Sequence, residues 1–136
     1  MPTPIFIDSS YVLALVDRRD QNHSRAIQLV RGYDNVPMIV TDAILLEIGA
    51  ALAYGFRKQV VQIIEEFQTS QNFEIVHLSL DLFDQAFQFF KKHQDKEWSL
   101  TDCVSFVVME QRRMSQALTF DHHFQQAGFV ALMRED

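Results

Sequence analysis

The amino-acid sequence predicts an α/β protein in which helices cover both faces of a central, mostly parallel sheet. Two observations lead to this fold class. Short segments rich in β-branched and aromatic residues alternate along the chain with longer segments whose apolar residues recur at helical spacing. The short segments are apolar throughout, which is typical of strands that are buried on both faces of a parallel sheet.

The first part of the chain predicts two strands, each followed by helix. Residues 3–7 form a strand that stops at Asp8, and the oxygens of Asp8, Ser9 and Ser10 are suited to begin a helix over 11–16. A second helix spans 23–30 and stops at Gly32. The predicted elements that follow are a strand over 38–40 and a helix from Thr41 or Asp42 through Glu47 towards Tyr54.

The second part of the chain continues the alternation. Apolar residues at helical spacing predict a helix over 60–67, and a third strand follows over 73–78. Ser79 begins a helix whose stripe of phenylalanines covers 83–90, and Ser99 or Thr101 begins the next one. The last two predicted strands are 116–120 and 129–132. No repeat, low-complexity segment or linker interrupts the pattern, so we expect a single domain over residues 1–136.

Composition indicates a globular protein of the cytoplasm. Hydrophobic residues make up 48% of the 136 residues, which is enough for a core at this length. No apolar run approaches the roughly 20 residues of a membrane-spanning helix, and the N-terminus has no basic region followed by a long apolar stretch. The single cysteine, Cys103, excludes an internal disulfide and a thiolate metal cluster, and we expect it to be a core residue.

Net charge leaves nucleic-acid binding open. The chain carries 18 acidic residues against 12 Lys plus Arg, a net charge of −6, whereas phosphate-binding proteins usually carry a basic excess. Acids gathered around a divalent cation would change this balance. Three basic pairs, 18–19, 57–58 and 112–113, are typical of solvated surface, and none is assigned to the site.

Three acids follow strands or begin a helix at the edge of the sheet where ligands bind in this fold class. Asp8 directly follows the first strand, Asp121 follows the strand 116–120, and Asp102 lies in the first turn of a helix. In open parallel sheets, ligands bind at the carboxyl ends of the strands, near the point where the strand order reverses. These acids are therefore candidates for one common site.

Glu47 lies in a strongly apolar helical segment. No Lys or Arg lies within one helical turn of it, and burial of an unpaired carboxylate is costly. A metal ion shared with other carboxylates would supply the missing charge. Oxygen ligands without cysteine favour Mg²⁺ or Mn²⁺ over Zn²⁺, and such a site can activate water against a phosphodiester.

Taken one at a time, the acids have structural interpretations. Asp8 and Asp102 could cap helices, Asp121 could serve a turn, and Glu47 could face solvent. Their joint placement, with two serines after Asp8 and the phrase Ser-Leu-Thr before Asp102, favours the common site. His122 and His123 flank Asp121, but consecutive side chains usually point in different directions, so we expect them to be loop or packing residues.

Four segments, each with one of these acids, resemble the PIN-domain nucleases and in particular the VapC-like toxins. The segments are IFIDSS at 5–10, LLE at 45–47, SLTDC at 99–103 and LTFDHHF at 118–124. The resemblance covers essentially the whole chain and includes the order of the acids. It implies a three-layer α/β/α sandwich around a parallel sheet, with Asp8, Glu47, Asp102 and Asp121 as catalytic and metal-binding acids. It also gives Ser9 and Thr101 a supporting role.

The activity that the resemblance implies is hydrolysis of RNA with Mg²⁺ or Mn²⁺, by the toxin of a toxin–antitoxin pair. It further implies a homodimer that a small antitoxin protein neutralises. Two alternatives are a non-catalytic interaction module of the same fold and a nuclease that acts on DNA. A haloacid-dehalogenase-like enzyme is disfavoured because Ser10 stands where a second Asp is needed. A receiver domain is disfavoured because paired acids are missing before Asp8.

Overall fold

A computed structural model describes residues 3–134 and shows a five-stranded parallel sheet flanked by helices. The strands are β1 (Ile5–Ile7), β2 (Met38–Thr41), β3 (Phe73–Val76), β4 (Gln116–Leu118) and β5 (Val130–Ala131). The helices are α1 (Ser9–Val16), α2 (His23–Gly32), α3 (Asp42–Ala51), α4 (Arg57–Thr69), α5 (Leu80–Lys92), α6 (Leu100–Gln111) and α7 (His122–Gln126). A turn of 3-10 helix, Leu132–Arg134, follows β5.

The strand order is β3-β2-β1-β4-β5, so the chain builds the sheet outwards from β1 in both directions. It adds β2 and β3 on one side and then crosses back to add β4 and β5 on the other. The order therefore reverses between β1 and β4. In this fold class, ligands bind at that point, outside the carboxyl ends of the strands.

The helices form two layers, one on each face of the sheet. α1 packs on α2 and α3, and α3 packs on α4, whereas α5 packs on α6 and α6 on α7. Crossovers between parallel strands are right-handed, which places the helices before and after β3 on opposite faces. The predicted α/β class with a three-layer arrangement is confirmed.

The central strands are apolar because helices cover both faces of the sheet. Every residue of β1 and β2 is buried, whereas the edge strand β3 is partly exposed. Phe6, Phe106 and Phe124 are fully buried, and the rings of Phe106 and Phe124 meet edge to face at 5.0 Å. Cys103 is buried with them, as expected, and burial raises the pKa of its thiol to about 11.

Several predicted boundaries are wrong by a few residues. The strands predicted over 3–7, 73–78 and 116–120 are shorter in the structure, because the ladders between neighbouring strands cover only part of each apolar segment. The segment predicted as a strand over 129–132 pairs with β4 over two residues and then turns into the 3-10 helix. Helix α7 was not predicted, because five residues are too few for a helical period to show.

Within residues 3–134, no helix has the length and apolar character needed to cross a membrane.

Candidate active site

Asp8 follows β1 at the reversal of strand order and is 5% exposed. Its Oδ2 accepts hydrogen bonds from the hydroxyl of Ser10, at 2.9 Å, and from the hydroxyl of Thr119, at 2.7 Å. Asp8 also stands at the N-cap position of α1 without a side-chain capping bond to that helix. Its carboxylate is therefore turned towards β4 and not used as a helix cap.

Two backbone groups hold the hydroxyls that hold Asp8. The Phe120 N–H donates to Ser10 Oγ, and the Asp121 N–H donates to Thr119 Oγ1, each at 3.0 Å. The Phe120–Ser10 bond ties the segment after β4 to the segment after β1, and the Asp121–Thr119 bond lies within the segment after β4. Ser10 and Thr119 were missed as site residues in the sequence. Their signals were a second serine after Asp8 and a threonine two residues before Asp121.

Glu47 of α3 is half-buried and lies beside Asp8 and Asp102. Burial raises the pKa of its carboxyl most, and the negative charges of Asp8 and Asp102 raise it further. Hydrogen bonds from the side chains of Ser9 and Thr101 act in the opposite direction. The structure therefore brings Ser9 and Thr101, which the resemblance singled out, into contact with Glu47.

Asp102 lies at the N3 position of α6 and forms a capping box with Ser99. The Asp102 N–H donates to Ser99 Oγ, and the Ser99 N–H donates to Asp102 Oδ2, both at 3.0 Å. The helix cap is thus Ser99, and Asp102 is its reciprocal partner. The charge of Asp102 also raises the pKa of Asp8, whose burial is the larger cause of that shift.

Asp121 lies at the flank of these three acids. It is the N-cap of α7, and its Oδ1 accepts the backbone N–H of His123 at 2.9 Å. The ring of His123 links it to Asp102: His123 Nδ1 is 3.0 Å from Asp102 Oδ2 and 3.4 Å from Asp121 Oδ1. The four predicted acids therefore line one edge of the sheet, with Asp8, Glu47 and Asp102 together and Asp121 connected through His123.

His122 and His123 were expected to be loop or packing residues, and the structure places the His123 ring against the acids of the site. This ring contacts two of the predicted acids, and the His123 side chain is 18% exposed. The expected divergence of the two side chains is wrong, because the rings lie 4.6 Å apart and α7 begins here, with its own side-chain directions. One donor atom each from Asp121, His122 and His123 lie within 4.8 Å of one another.

The donor set fits a hard divalent cation. Asp8, Glu47 and Asp102 offer carboxylate oxygens from three different elements, and the charges of Asp8 and Asp102 raise the pKa of Glu47. In the described part of the chain, no Lys or Arg forms a salt bridge with these acids. A cation such as Mg²⁺ or Mn²⁺ prefers such oxygen ligands and would supply the missing charge.

The chain is thus an open parallel α/β sheet protein. Its carboxylates cluster where the strand order reverses, which is the position of the ligand site in this class. The sequence model of the PIN domain matches residues 5–130, and the chain belongs to the PIN domain family.

Known proteins with similar sequence and structure include a toxin of Mycobacterium tuberculosis. The chain is 29% identical over 131 residues to its 23S rRNA-specific endonuclease VapC20, covering 96% of this chain and 99% of VapC20. The crystal structure of VapC20, described as a sarcin–ricin loop cleaving toxin, superimposes with a TM-score of 0.83 at 28% identity, over 93% and 96% of the two chains.

More distant structures share the fold. FitAcB from Neisseria gonorrhoeae has a TM-score of 0.62 at 18% identity, over 93% of this chain and 94% of its own. FitAB bound to a DNA fragment has a TM-score of 0.63 at 20% identity, over 93% and 92% of the two chains.

Proposed function

We propose that the protein is a divalent-metal-dependent endoribonuclease and the toxin of a toxin–antitoxin pair. The observation that carries the proposal is the cluster of Asp8, Glu47 and Asp102 at the strand reversal, where burial and like charge raise the pKa values of Asp8 and Glu47. Its setting is a PIN domain chain that is similar to the endonuclease VapC20 over nearly its whole length.

In this proposal, Asp8, Glu47, Asp102 and Asp121 hold Mg²⁺ or Mn²⁺. When bound, such an ion lowers the pKa of a coordinated water and offsets charge on the phosphodiester. The protein contributes a set of oxygens held by its own groups: Ser10 and Thr119 orient Asp8, and Ser99 orients Asp102. Ser9 and Thr101 lie beside Glu47 and lower the pKa of its carboxyl. Water attack in line would leave a 3′-hydroxyl and a 5′-phosphate.

RNA is the substrate class that we propose, by analogy with VapC20, a 23S rRNA-specific endonuclease. A labelled stem-loop with the sarcin–ricin sequence is the first substrate to test, beside a DNA of the same sequence. Preferential cutting of the DNA would favour the alternative of a DNA nuclease. Cutting of neither, in Mg²⁺ or in Mn²⁺, would favour the non-catalytic interaction module.

The decisive comparison is Asp8→Asn against Glu110→Gln. Asp8→Asn keeps an oxygen that accepts the Ser10 and Thr119 bonds but removes the charge. Glu110 is an exposed acid in the last turn of α6, about 12 Å along that helix from Asp102. We expect Asp8→Asn to lower the cleavage rate by at least about 100-fold, because it removes a preorganised charge. Glu110→Gln should cut normally, and excess chelator should stop the wild type. Full activity of Asp8→Asn, or activity in chelator, contradicts the mechanism.

We infer further that a small antitoxin protein neutralises this toxin. Among the described residues, no Lys or Arg forms a salt bridge with the acidic cluster, and an Arg or Lys of an inhibitor would pair with it. Co-expression with the neighbouring reading frame tests this inference. Its product should co-purify and reduce ribonuclease activity, and a product that does neither rejects the antitoxin.

We also infer that the free protein is a homodimer. The α5 face, defined by Phe83, Phe87 and Phe90, presents three rings that are 42%, 41% and 40% exposed. Contiguous apolar surface of this kind is typical of protein contacts. A second copy of the chain is the partner that the resemblance to VapC-like toxins implies.

A further inference from the structure

His123 contacts two of the clustered acids with two different donors. Its ring Nδ1 lies 3.0 Å from Oδ2 of Asp102, on α6. Its backbone N–H donates to Oδ1 of Asp121 at 2.9 Å, and Asp121 lies at the end of the segment that follows β4. One residue therefore joins carboxylates that reach the site from two separate elements.

The contact with Asp102 fixes how that carboxylate is turned. Oδ2 of Asp102 accepts both the Ser99 N–H and the His123 ring nitrogen, each at 3.0 Å. Two donors on the same oxygen leave the carboxylate little freedom to rotate. Within residues 3–134, Oδ1 of Asp102 has no hydrogen-bond partner of its own. That oxygen is the one left free for a cation.

The ring of His123 is itself held in place. His123 lies in α7. The residue after it, Phe124, is fully buried between Phe6 and Phe106. Burial of Phe124 fixes α7 against α6. The His122 side chain is 57% exposed, compared with 18% for His123. The two neighbouring histidines thus differ in constraint, and the constrained one bears on the acids.

We propose that His123 is a positioning residue: its Nδ1–H holds Asp102 in the orientation that binds the divalent cation. This inference rests on the proposed function. Groups that orient metal ligands from behind influence metal affinity by about 10- to 100-fold. In this arrangement His123 donates to the carboxylate and does not itself bind the ion.

Four variants separate the donor at Nδ1 from other effects of the side chain. His123→Asn keeps an N–H donor close to the Nδ1 position, whereas His123→Gln places its amide nitrogen near the Nε2 position. His123→Leu removes the donor and keeps apolar bulk. His122→Leu is the matched control, since it changes the neighbouring ring. Thermal unfolding of each metal-free variant checks that it folds.

The measurement is the dissociation constant of Mn²⁺, read from the electron paramagnetic resonance signal of free Mn²⁺ during titration of the metal-free protein. We expect weaker binding by about 10- to 100-fold in His123→Leu and His123→Gln. Binding in His123→Asn should stay within about threefold of the wild type, as should binding in His122→Leu. If His123→Leu fails to fold, the comparison of Asn with Gln still decides the matter.

Three results would overturn the proposal. Equal Mn²⁺ affinity in wild type, His123→Leu and His123→Gln rejects a positioning role and leaves the proposed function intact. A ¹⁴N coupling from a directly bound nitrogen in the pulsed spectrum of the wild type, lost in His123→Asn, makes His123 a ligand instead. A wild type that binds no Mn²⁺ rejects this inference and the metal-dependent function together.

Discussion

Burial disfavours the charged form of Asp8 in the metal-free protein. Burial raises the pKa of its carboxyl above 3.8, and the charge of Asp102 raises it further, against the hydrogen bonds from Thr119 and Ser10. The carboxyl of Asp8 therefore stays protonated in the folded chain over a pH range in which it is already ionised in the unfolded chain. Stability falls as pH rises through that range, because the folded state then binds more protons than the unfolded state.

Asp8→Asn should therefore raise the melting temperature of the metal-free protein at neutral pH, by a few degrees. An asparagine at this position has no charge to bury and keeps an oxygen for the Ser10 and Thr119 hydroxyls. The advantage should shrink as pH is lowered towards 3.8, where the wild-type carboxyl becomes protonated in both states.

Calorimetry in excess chelator at several pH values measures this effect. Added Mn²⁺ should reverse the order, since a bound ligand stabilises the wild type and not the variant. A variant that melts below the wild type in chelator at neutral pH would show that charge repulsion at Asp8 is outweighed by other contacts.

Single residues of the site were predictable where the position itself carried the signal. Asp8, Glu47 and Asp102 stand out because each is an acid in an apolar setting, and the structure brings them together. Ser10, Thr119 and His123 were not predicted because their importance lies in contacts across the sheet. The Ser10 hydroxyl is 109 positions from that of Thr119, yet 3.2 Å away from it. Their catalytic and metal-binding roles stay predictions.

Two helices in the same layer begin with the same cap, and only one of them bears on the site. Ser79 Oγ accepts the Leu82 N–H at the start of α5, and Ser99 Oγ accepts the Asp102 N–H at the start of α6, both at 3.0 Å. The residue that each cap holds differs: Leu82 is a core residue, whereas Asp102 is one of the clustered acids.

Ser79→Ala and Ser99→Ala should lose similar stability, about 1 kcal/mol each, because each removes one helix cap. Only Ser99→Ala should also weaken Mn²⁺ binding, by roughly 3- to 10-fold, since the Asp102 backbone loses an anchor. Chemical denaturation and Mn²⁺ titration of the two variants measure both effects. Equal Mn²⁺ affinity in the two would separate the cap of α6 from the site.

Elements followed from the sequence where their residues carry a long, regular pattern. The stripe of α5 predicted a helix that begins after Ser79, and Ser99 or Thr101 was predicted to begin the next helix. The structure has Ser79 and Ser99 as the two N-caps. The ends of the strands and helix α7 were harder to predict from the sequence. A strand ends where its ladder partner ends, which is a property of two segments, and a five-residue helix is set by its N-cap and by burial of Phe124.

At the scale of the molecule, the reversal of strand order explains why distant acids meet. β1 and β4 are neighbours although more than 100 residues separate them, so the segments after both strands open on the same edge. This order was not readable from the sequence, since alternation of strands and helices is compatible with several orders. The cytoplasmic location and the single-domain organisation over 1–136 stay predictions.

Helices α4 and α5 both carry apolar residues at helical spacing, and the structure distinguishes the two as surfaces for a dimer contact. On α4, Val60 and Phe67 are buried in the protein's own core, and Val61 is left 51% exposed. On α5, the rings of Phe83, Phe87 and Phe90 are all partly exposed. The α5 face is therefore the better surface for a second copy of the chain.

Phe87→Glu should convert the homodimer into a monomer, because it removes an apolar ring and places a charge in the middle of the α5 face, where burial of a charge in an apolar contact is costly. Val61→Glu is the matched control: it adds the same charge to a similarly exposed apolar position on α4 and should leave the dimer intact. Light scattering at micromolar concentration should give twice the 15.8 kDa chain mass for the wild type and Val61→Glu, and the chain mass itself for Phe87→Glu.

A monomeric wild type removes the dimer from the proposal, and a dimeric Phe87→Glu moves the contact to another surface. Neither result touches the acid cluster, which lies in one chain, so ribonuclease activity of a monomeric Phe87→Glu would show that each copy holds a complete site.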